Sequence, residues 1–482
     1  MKRFINILII SLLLISCTSR QSKELVILSV NDMHAHIEQM PKLAYIADSL
    51  RNLYPELLVV SAGDNRTGNA YSDRFPGQPN LPMINLMNAI GFEVSALGNH
   101  EFDGNIDGIR FVLQNAKFPL VCANAYFDAY PDIQIPDYVT LTKKIDGKDI
   151  KIIILGMLET SNEGRPSAHV KNLKNMMFRP AETMIDDYLY LRDSCDVFIL
   201  LSHCGKESEL VFAEKYPQFD MIIGGHSHDL FTKHFDNDVL YTQSKYYLKM
   251  ATVTKLRFKN GKIVSKEAQV IDLDKVNKES EQIRAEVEKY YSEPYFHVVM
   301  GYAATSFNDK KALGAFMVDA QRHLTKTDIA MQNPGGIRYD SLHSGAISRA
   351  DIFNLDPFNN SLVIIEMTGK QVEDFLVLAS NNDKVACTHV SGITYSMKYA
   401  HSDDGQSGFV SAEAYLENGQ RLDPKKVYTV TMNSYMSPWA DGRCLKKEEQ
   451  NLYCNDAELL FLQDNKNIDY HGVSRYNVEV LN

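Results

Sequence analysis

The chain has 482 residues, 45% of them apolar and 23% charged, which leaves room for two or three domains and excludes a single small module, a collagen-like repeat or wholesale disorder. Acidic residues outnumber basic ones 61 to 50, for a formal charge of −11, so nucleic acid is not expected as a main partner. A phosphorylated substrate would need its charge met locally, by metal ions or a few arginines.

Lys2 and Arg3 precede an apolar run from Phe4 to Ile15, shorter than the roughly 20 residues that span a bilayer, and this reads as an export signal. The run ends in Leu14-Ile15-Ser16-Cys17, which resembles the lipobox of bacterial lipoproteins; the other reading is an ordinary signal peptide. The resemblance implies acylation of Cys17 and an exported body anchored to the bacterial membrane, on its periplasmic or cell-surface side. Residues 1–23 would then be signal and polar tether. Of the remaining cysteines, Cys444 and Cys454 lie close together in a polar stretch and are the candidate disulfide pair, while Cys122, Cys195, Cys204 and Cys387 sit in or beside apolar runs and read as buried thiols.

From residue 24 to 271 short β-branched runs alternate with helical stretches, the mark of layered α/β structure. Leu25 to Val30, Leu57 to Ser61, Val94 to Leu97, Ile152 to Leu158, Val197 to Leu201 and Met221 to Ile223 are near-continuous apolar runs. Such strands are buried on both faces and belong in the middle of a sheet covered by helices. Residues 272–296 are rich in Lys and Glu, with Leu273, Val276, Ile283 and Val287 on one stripe, and read as a solvated helix linking two domains; the other reading is a peripheral helix of a single domain. Residues 297–482 mix a helix around Leu313 to Leu324 with strands at Leu362 to Met367 and Val427 to Met432, giving a smaller mixed α/β domain.

The turns that leave the early strands carry the chemistry. Asn31-Asp32-Met33-His34, Gly63-Asp64-Asn65, Gly98-Asn99-His100-Glu101, Ser202-His203 and Gly225-His226-Ser227-His228 each stand at a strand's C-terminal end, the edge where open α/β sheets bind ligands. Divalent cations such as Zn²⁺ or Mn²⁺ take imidazoles and carboxylates, and a pair about 3.5–4 Å apart needs a shared bridging carboxylate. One histidine at a strand end is weak evidence, but coincidence at strand after strand is not. Gly98 and Gly224-Gly225 also suit turns where backbone must pass close to an ion.

In this order and spacing these segments resemble the motifs of calcineurin-like metallophosphoesterases. Asn333-Pro334-Gly335-Gly336-Ile337-Arg338, Pro357-Phe358-Asn359 and Asp441-Gly442 resemble the C-terminal domain of the 5′-nucleotidase family. The resemblance implies a four-layer α/β/β/α sandwich with the smaller α/β domain as substrate binder. It places Asp32, His34, Asp64 and His228 around one divalent ion and Asp64, Asn99, His203 and His226 around the other, with Asp64 bridging. His228 stands where some members carry glutamine. His100 and Asp103 match the catalytic pair; Glu101 is read as structural, and His36 as a polar neighbour. Arg338 is the expected phosphate or carboxylate clamp, with Asn333, Phe358 and Asn359 as further substrate-binding candidates. Tyr435 matches one of two rings that sandwich a base, and Asp441 the acid that contacts the ribose. The second ring falls near Cys387, where no aromatic residue stands between Val385 and Ile393, so base affinity or base choice is expected to relax.

The expected activity is release of phosphate from nucleoside 5′-monophosphates by in-line attack of a metal-activated water, with no obligate protein partner. Alternatives are a UDP-sugar hydrolase, a 2′,3′-cyclic-nucleotide phosphodiesterase or a nucleotide-binding lipoprotein without catalysis.

Overall fold

The computed structural model describes residues 23–161, 164–339, 341–358, 360–383, 385–401 and 407–481. Cys17, nearly all of the 1–23 segment, and Asn359 lie outside these residues. Among the described residues no helix is long and apolar enough to cross a membrane.

Two six-stranded sheets organise the first half. One runs in the order Lys262–Asp272, Met250–Lys259, Glu24–Val30, Leu58–Ser61, Val94–Ala96, Leu120–Val121. The other runs Leu230–His234, Leu240–Ser244, Met221–Gly224, Val197–His203, Lys148–Leu158, Tyr138–Ile145. Strand alternation decides how they stack. Leu25 and Ile27 meet Ile152, Ile199 and Ile223 between the sheets, whereas Val26 and Leu28 pack outward with the helices Met40–Leu53 and Leu81–Ile90. In the second sheet Val197 and Ile199 face inward, while Phe198 and Leu200 pack with Phe212 and Ala213 of the helix Lys206–Lys215. The runs are buried on both faces, as their composition requires, but one of the two covers is the other sheet. The result is the four-layer α/β/β/α sandwich.

The central strands of each sheet run parallel: Glu24–Val30 with Leu58–Ser61 and Val94–Ala96, and Lys148–Leu158 with Val197–His203 and Met221–Gly224. Their C-terminal ends therefore gather at one edge, and the motif-bearing loops converge there.

The Lys/Glu-rich stretch is a helix only over Glu281–Tyr291, with the Ser280 side chain capping Ile283 N–H. Leu273 and Val276 precede it and are not part of its stripe. Ile283, Val287 and Tyr290 are buried in the same core as the helix Met40–Leu53, so this segment is a packed member of the outer helical layer and not a solvated spacer. Its apolar positions at i, i+4 and i+7 need a partner surface, and the sandwich supplies one.

The second domain is built on a five-stranded sheet in the order His389–Ser391, Ile329–Gln332, Val427–Asn433, Ser361–Thr368, Lys446–Tyr453, with the helices Lys310–Thr325, Gly369–Asn382 and Cys454–Asp464 around it. It docks on the first through several contacts. Ala70 N–H donates to Asn354 Oδ1 at 2.7 Å, and Arg74 Nη2 to the Phe358 carbonyl at 3.1 Å. Lys171 pairs with Glu449, and Ala70, Phe296, Ala350 and Phe353 form a small apolar cluster between them.

The expected Cys444–Cys454 disulfide is absent, both thiols being free. The residues between them are not a loop: Lys446–Tyr453 is an extended strand paired with Ser361–Thr368. At about 3.3 Å per residue such a strand holds its ends far beyond disulfide reach.

Candidate metal centre

The loops at the shared sheet edge hold an unusual backbone. Asp32, His34, Asp64, His226 and His228 all have positive φ, between 48° and 75°, which costs non-glycine residues energy and clusters at functional sites. Two glycines are required by close approach. A Cβ on Gly98 would collide with the Asp64 carboxylate, and one on Gly225 would lie 2.7 Å from His203 Nδ1 and 3.2 Å from Asp32 Oδ2.

These loops bring together the side chains expected from the sequence. Asp32, His34 and His228 offer ligand atoms within 4.8 Å of one another, as do Asp64, His203 and His226, and as do His34, Asp64 and His100. Asn99 joins the second group through Oδ1, 2.9 Å from His226 Nδ1, while its amide nitrogen donates to the Ser167 carbonyl at 3.2 Å. Asp64 and His203 are buried to within 1% of completely.

The donor chemistry fits cations. His34 Nδ1 bonds to the Thr67 carbonyl at 2.9 Å and His203 Nδ1 to the Ala62 carbonyl at 2.6 Å, which turns each ring's Nε2 toward the cluster. His34 Nε2 then faces His228 Nε2 at 3.0 Å, and His203 Nε2 stands 3.1 Å from Asp64 Oδ2 without hydrogen-bond alignment. Imidazole nitrogens and carboxylate oxygens gathered at such separations are the donor set that a divalent cation takes. Burial holds His34 well below the usual imidazole range and His226 down to about 4, the neutral form a ligand needs. Asp64 is held well below the carboxylate range although burial opposes it, because His203 and His100 surround it.

Two residues of the His100 loop have different tasks. His100 Nδ1 lies 2.6 Å from Asp103 Oδ2, leaving its other nitrogen for the cleft. Glu101 points the opposite way and accepts from the main-chain N–H groups of Asp64, Asn65 and Gly98 at 2.9, 2.8 and 2.6 Å. It ties the Asp64 loop to the Asn99 loop. His36 pairs with Glu38 at 2.5 Å and stacks on Tyr247 at 4.0 Å, outside all three ligand groups.

From the second domain, Phe358 lies 6.1 Å from the His100 ring, and the Arg338 guanidinium sits over Phe358 at 5.1 Å. Arg338 is close enough to the cluster that its charge contributes to lowering His34. Tyr435 is 47% exposed and meets Trp439 edge-on at 5.4 Å. Burial, with Asp383 nearby, raises its hydroxyl pKa. Asn333 is buried, accepting from Asn433 at 2.9 Å and donating to Asp383 Oδ2 at 3.4 Å, so its amide is engaged within the protein. Asp441 pairs with Lys447 at 2.9 Å. Cys387 is packed in the domain core, and Trp439 leans on the same core.

Sequence reasoning missed several contributors. Glu159, at the end of Lys148–Leu158, accepts from Ser167 N–H, and so supports the carbonyl that orients Asn99. Asp383 accepts from Gly335 N–H at 2.6 Å and fixes the turn that leads to Arg338. Glu209 lies beneath the His203 and His226 loops. Its sequence signal is legible in retrospect: it occupies the stripe of Phe212 and Ala213, at i+3 and i+4, where an apolar residue belongs.

Histidines and carboxylates gathered at the C-terminal edge of a four-layer sandwich make the frame of a metallophosphoesterase. The calcineurin-like phosphoesterase family model matches residues 25–230 and the model of the 5′-nucleotidase C-terminal domain matches residues 293–447, one on each half of the chain. Among curated relatives, the 5′-nucleotidase of Vibrio vulnificus is 25% identical over 528 aligned positions, covering 92% of this chain and 91% of that protein. Endonuclease YhcR of Bacillus subtilis is 26% identical over 463 positions, 85% of this chain but 37% of that protein, so the chain spans little more than a third of that relative. Among solved structures, a 5′-nucleotidase precursor from Thermus thermophilus superposes with a TM-score of 0.78 at 20% identity, over 94% of this chain and 99% of that one, which shows the shared fold.

Proposed function

We propose that the protein is a two-metal phosphomonoester hydrolase that releases phosphate from nucleoside 5′-monophosphates. The observation that carries this reading is the placement of Asp64 in both a group with His34 and His100 and a group with His203 and His226, with Phe358 of the second domain 6.1 Å from the His100 ring and Arg338 over Phe358. Asp32, His34, Asp64 and His228 would hold one divalent ion, and Asp64, Asn99, His203 and His226 the other; Zn²⁺ and Mn²⁺ both suit this mixture of nitrogen and oxygen donors. Bound there, the ions supply Lewis acidity toward phosphoryl oxygens and a water acidified to near neutrality.

The chain's own residues do the rest. His100, oriented through Nδ1 by Asp103, presents its other nitrogen to the phosphoryl group or leaving oxygen. Arg338 offers a forked donor to paired oxygens, steadied by the Phe358 face beneath it. Tyr435 supplies a ring for the base. Trp439 stands beside it, and the Cys387 position supplies no second ring. The names of the Vibrio and Thermus relatives support the nucleotide assignment. The amino-terminal sequence supports an exported, lipid-tethered protein.

Phosphate release from AMP, measured with added Mn²⁺ or Zn²⁺ and again with EDTA, tests the reading. Metal-dependent release is expected; none at any metal concentration would leave a binding protein. UDP-sugars and 2′,3′-cyclic nucleotides in the same panel define the substrate range.

A further inference from the structure

The helix Lys206–Lys215 carries Glu209 inward, with none of its surface exposed. Its Oε1 accepts from Cys204 N–H at 3.1 Å and from Gly225 N–H at 3.3 Å, and its Oε2 accepts from the Tyr241 hydroxyl at 2.7 Å. Cys204 directly follows His203, and Gly225 directly precedes His226. One carboxyl group therefore grips the backbone beside each of two histidines carried by different strands. The neighbouring chain is shaped around it: a Cβ on Gly224 would collide with the Glu209 carboxylate and come within 2.8 Å of the Tyr241 ring. Tyr241 is itself fully buried and is anchored in the strand Leu240–Ser244.

A carboxyl group held wholly out of water without a basic partner among the described ion pairs destabilises a fold unless its hydrogen bonds are needed. Leucine or methionine would pack at this position beside Phe212 and Ala213. The bonds that Glu209 makes are to ligand-bearing loops. Glu101 has the parallel geometry on the opposite side, joining the loops of Asp64 and Asn99. Between them the two glutamates bracket Asp64, Asn99, His203 and His226.

We infer that Glu209 is a positioning residue for one metal site: its carboxylate clamps the Cys204 and Gly225 amides so that His203 and His226 present their nitrogens to the same ion. This rests on the two-metal reading above. The clamp is a matter of acceptor geometry, so glutamine, whose amide oxygen can take both N–H groups while its NH₂ donates to the Tyr241 oxygen, should replace it. Aspartate, one methylene shorter, should not.

The test is Mn²⁺ titration by calorimetry on the full-length wild type and on Glu209→Gln, Glu209→Asp and Glu209→Ala, with hydrogen exchange at the Cys204 and Gly225 amides of the metal-free proteins. Wild type that binds no pair of ions overturns the functional reading; the exchange arm then still reports on the clamp. With two ions bound by wild type, Glu209→Asp and Glu209→Ala should weaken one of the two sites about 10- to 100-fold, the range for residues that orient metal ligands. They should lower kcat with little change in KM and speed exchange at both amides. Glu209→Gln should match wild type in all of these. If Glu209→Ala fails to fold, the contrast between Glu209→Asp and Glu209→Gln decides. Unchanged affinity and exchange in Glu209→Asp, or loss in Glu209→Gln equal to that in Glu209→Asp, would overturn the inference.

Discussion

The main-chain N–H of His100 donates to Asp64 Oδ1 at 2.8 Å. The carboxylate shared by the proposed metal sites is thus bonded to the backbone of the residue proposed to act on the substrate. The two residues stand in loops after different strands, so this bond ties one loop to the other and sets the spacing between them.

That separation of tasks gives the first expectation. His100→Ala keeps its main-chain bond to Asp64, so metal content should be unchanged while turnover falls by roughly 10²- to 10⁴-fold. Because His100 also lies within ligand reach of His34 and Asp64, loss of one bound ion, measured by elemental analysis, would show it to be a ligand instead.

Asp64→Asn should behave differently. It removes the charge common to the two groups, so binding of both ions and hydrolysis should fail together. In the wild type EDTA should lower the melting temperature and added Mn²⁺ restore it, since a ligand held by the folded state at 100 times its Kd contributes about 2.7 kcal/mol. Asp64→Asn should show no such response. A variant that still binds two ions and hydrolyses at full speed would refute the bridging role.

Arg338→Ala should raise KM for a nucleotide by about tenfold or more with metal content intact, because a forked, charge-assisted contact is worth about 1.5–3 kcal/mol. Arg338→Lys should recover only part, lacking the planar fork. Equal KM values in steady-state kinetics would remove Arg338 from the substrate site.

Glu101→Ala would strand three inward-facing N–H groups. A single stranded buried donor costs about 1–3 kcal/mol, so a loss of about 3 kcal/mol in chemical denaturation is expected even in metal-free protein. A loss confined to the metal-loaded protein would contradict a structural role.

A buried carboxyl pair beside the domain junction sets a pH dependence. Burial pushes Asp356 from 3.8 up to about 7, against the opposing charge of Arg74, and lifts Glu458 well above the usual range. Neither Glu458 oxygen meets a hydrogen-bond donor among the described residues. A folded pKa above the unfolded value means that the folded state keeps a proton the unfolded state releases. This stability is fully present below about pH 4 and is lost as pH rises through about 7, at about 1.4 kcal/mol for each pH step between the two values. Asp356→Asn should flatten the melting-temperature profile between pH 5 and 8 relative to wild type. Parallel profiles would rule out this contribution.

Much of the fold and of the candidate metal centre is legible in the residues alone. Leu25 to Val30, Val197 to Leu201 and Met221 to Ile223 are readable as buried strands because β-branched runs have few other uses. Asp32, His203 and His226 are readable as ligand candidates because each stands at or just beyond the end of such a run. The helix near Leu313 is readable from its period, and the ordered motifs point to the family. Less legible is the stretch from Leu273 to Val287, where one hydrophobic stripe is shared between a short turn and a separate helix. The Cys444–Cys454 pairing failed because a charged run such as Lys446–Tyr453 resembles a loop until a neighbouring strand pairs with it.

Which strands form, which side chains stand at their ends and which kind of ion those side chains suit are written in the order of residues, since all three depend on near neighbours in the chain. That the sheets face each other, that Arg338 comes across from the second domain, and that Glu101 and Glu209 turn inward to grip loops from other strands emerges only in the folded molecule. Those facts depend on groups far apart in sequence meeting in a water-free interior, where each buried carboxylate must find donors and each lone pair a direction.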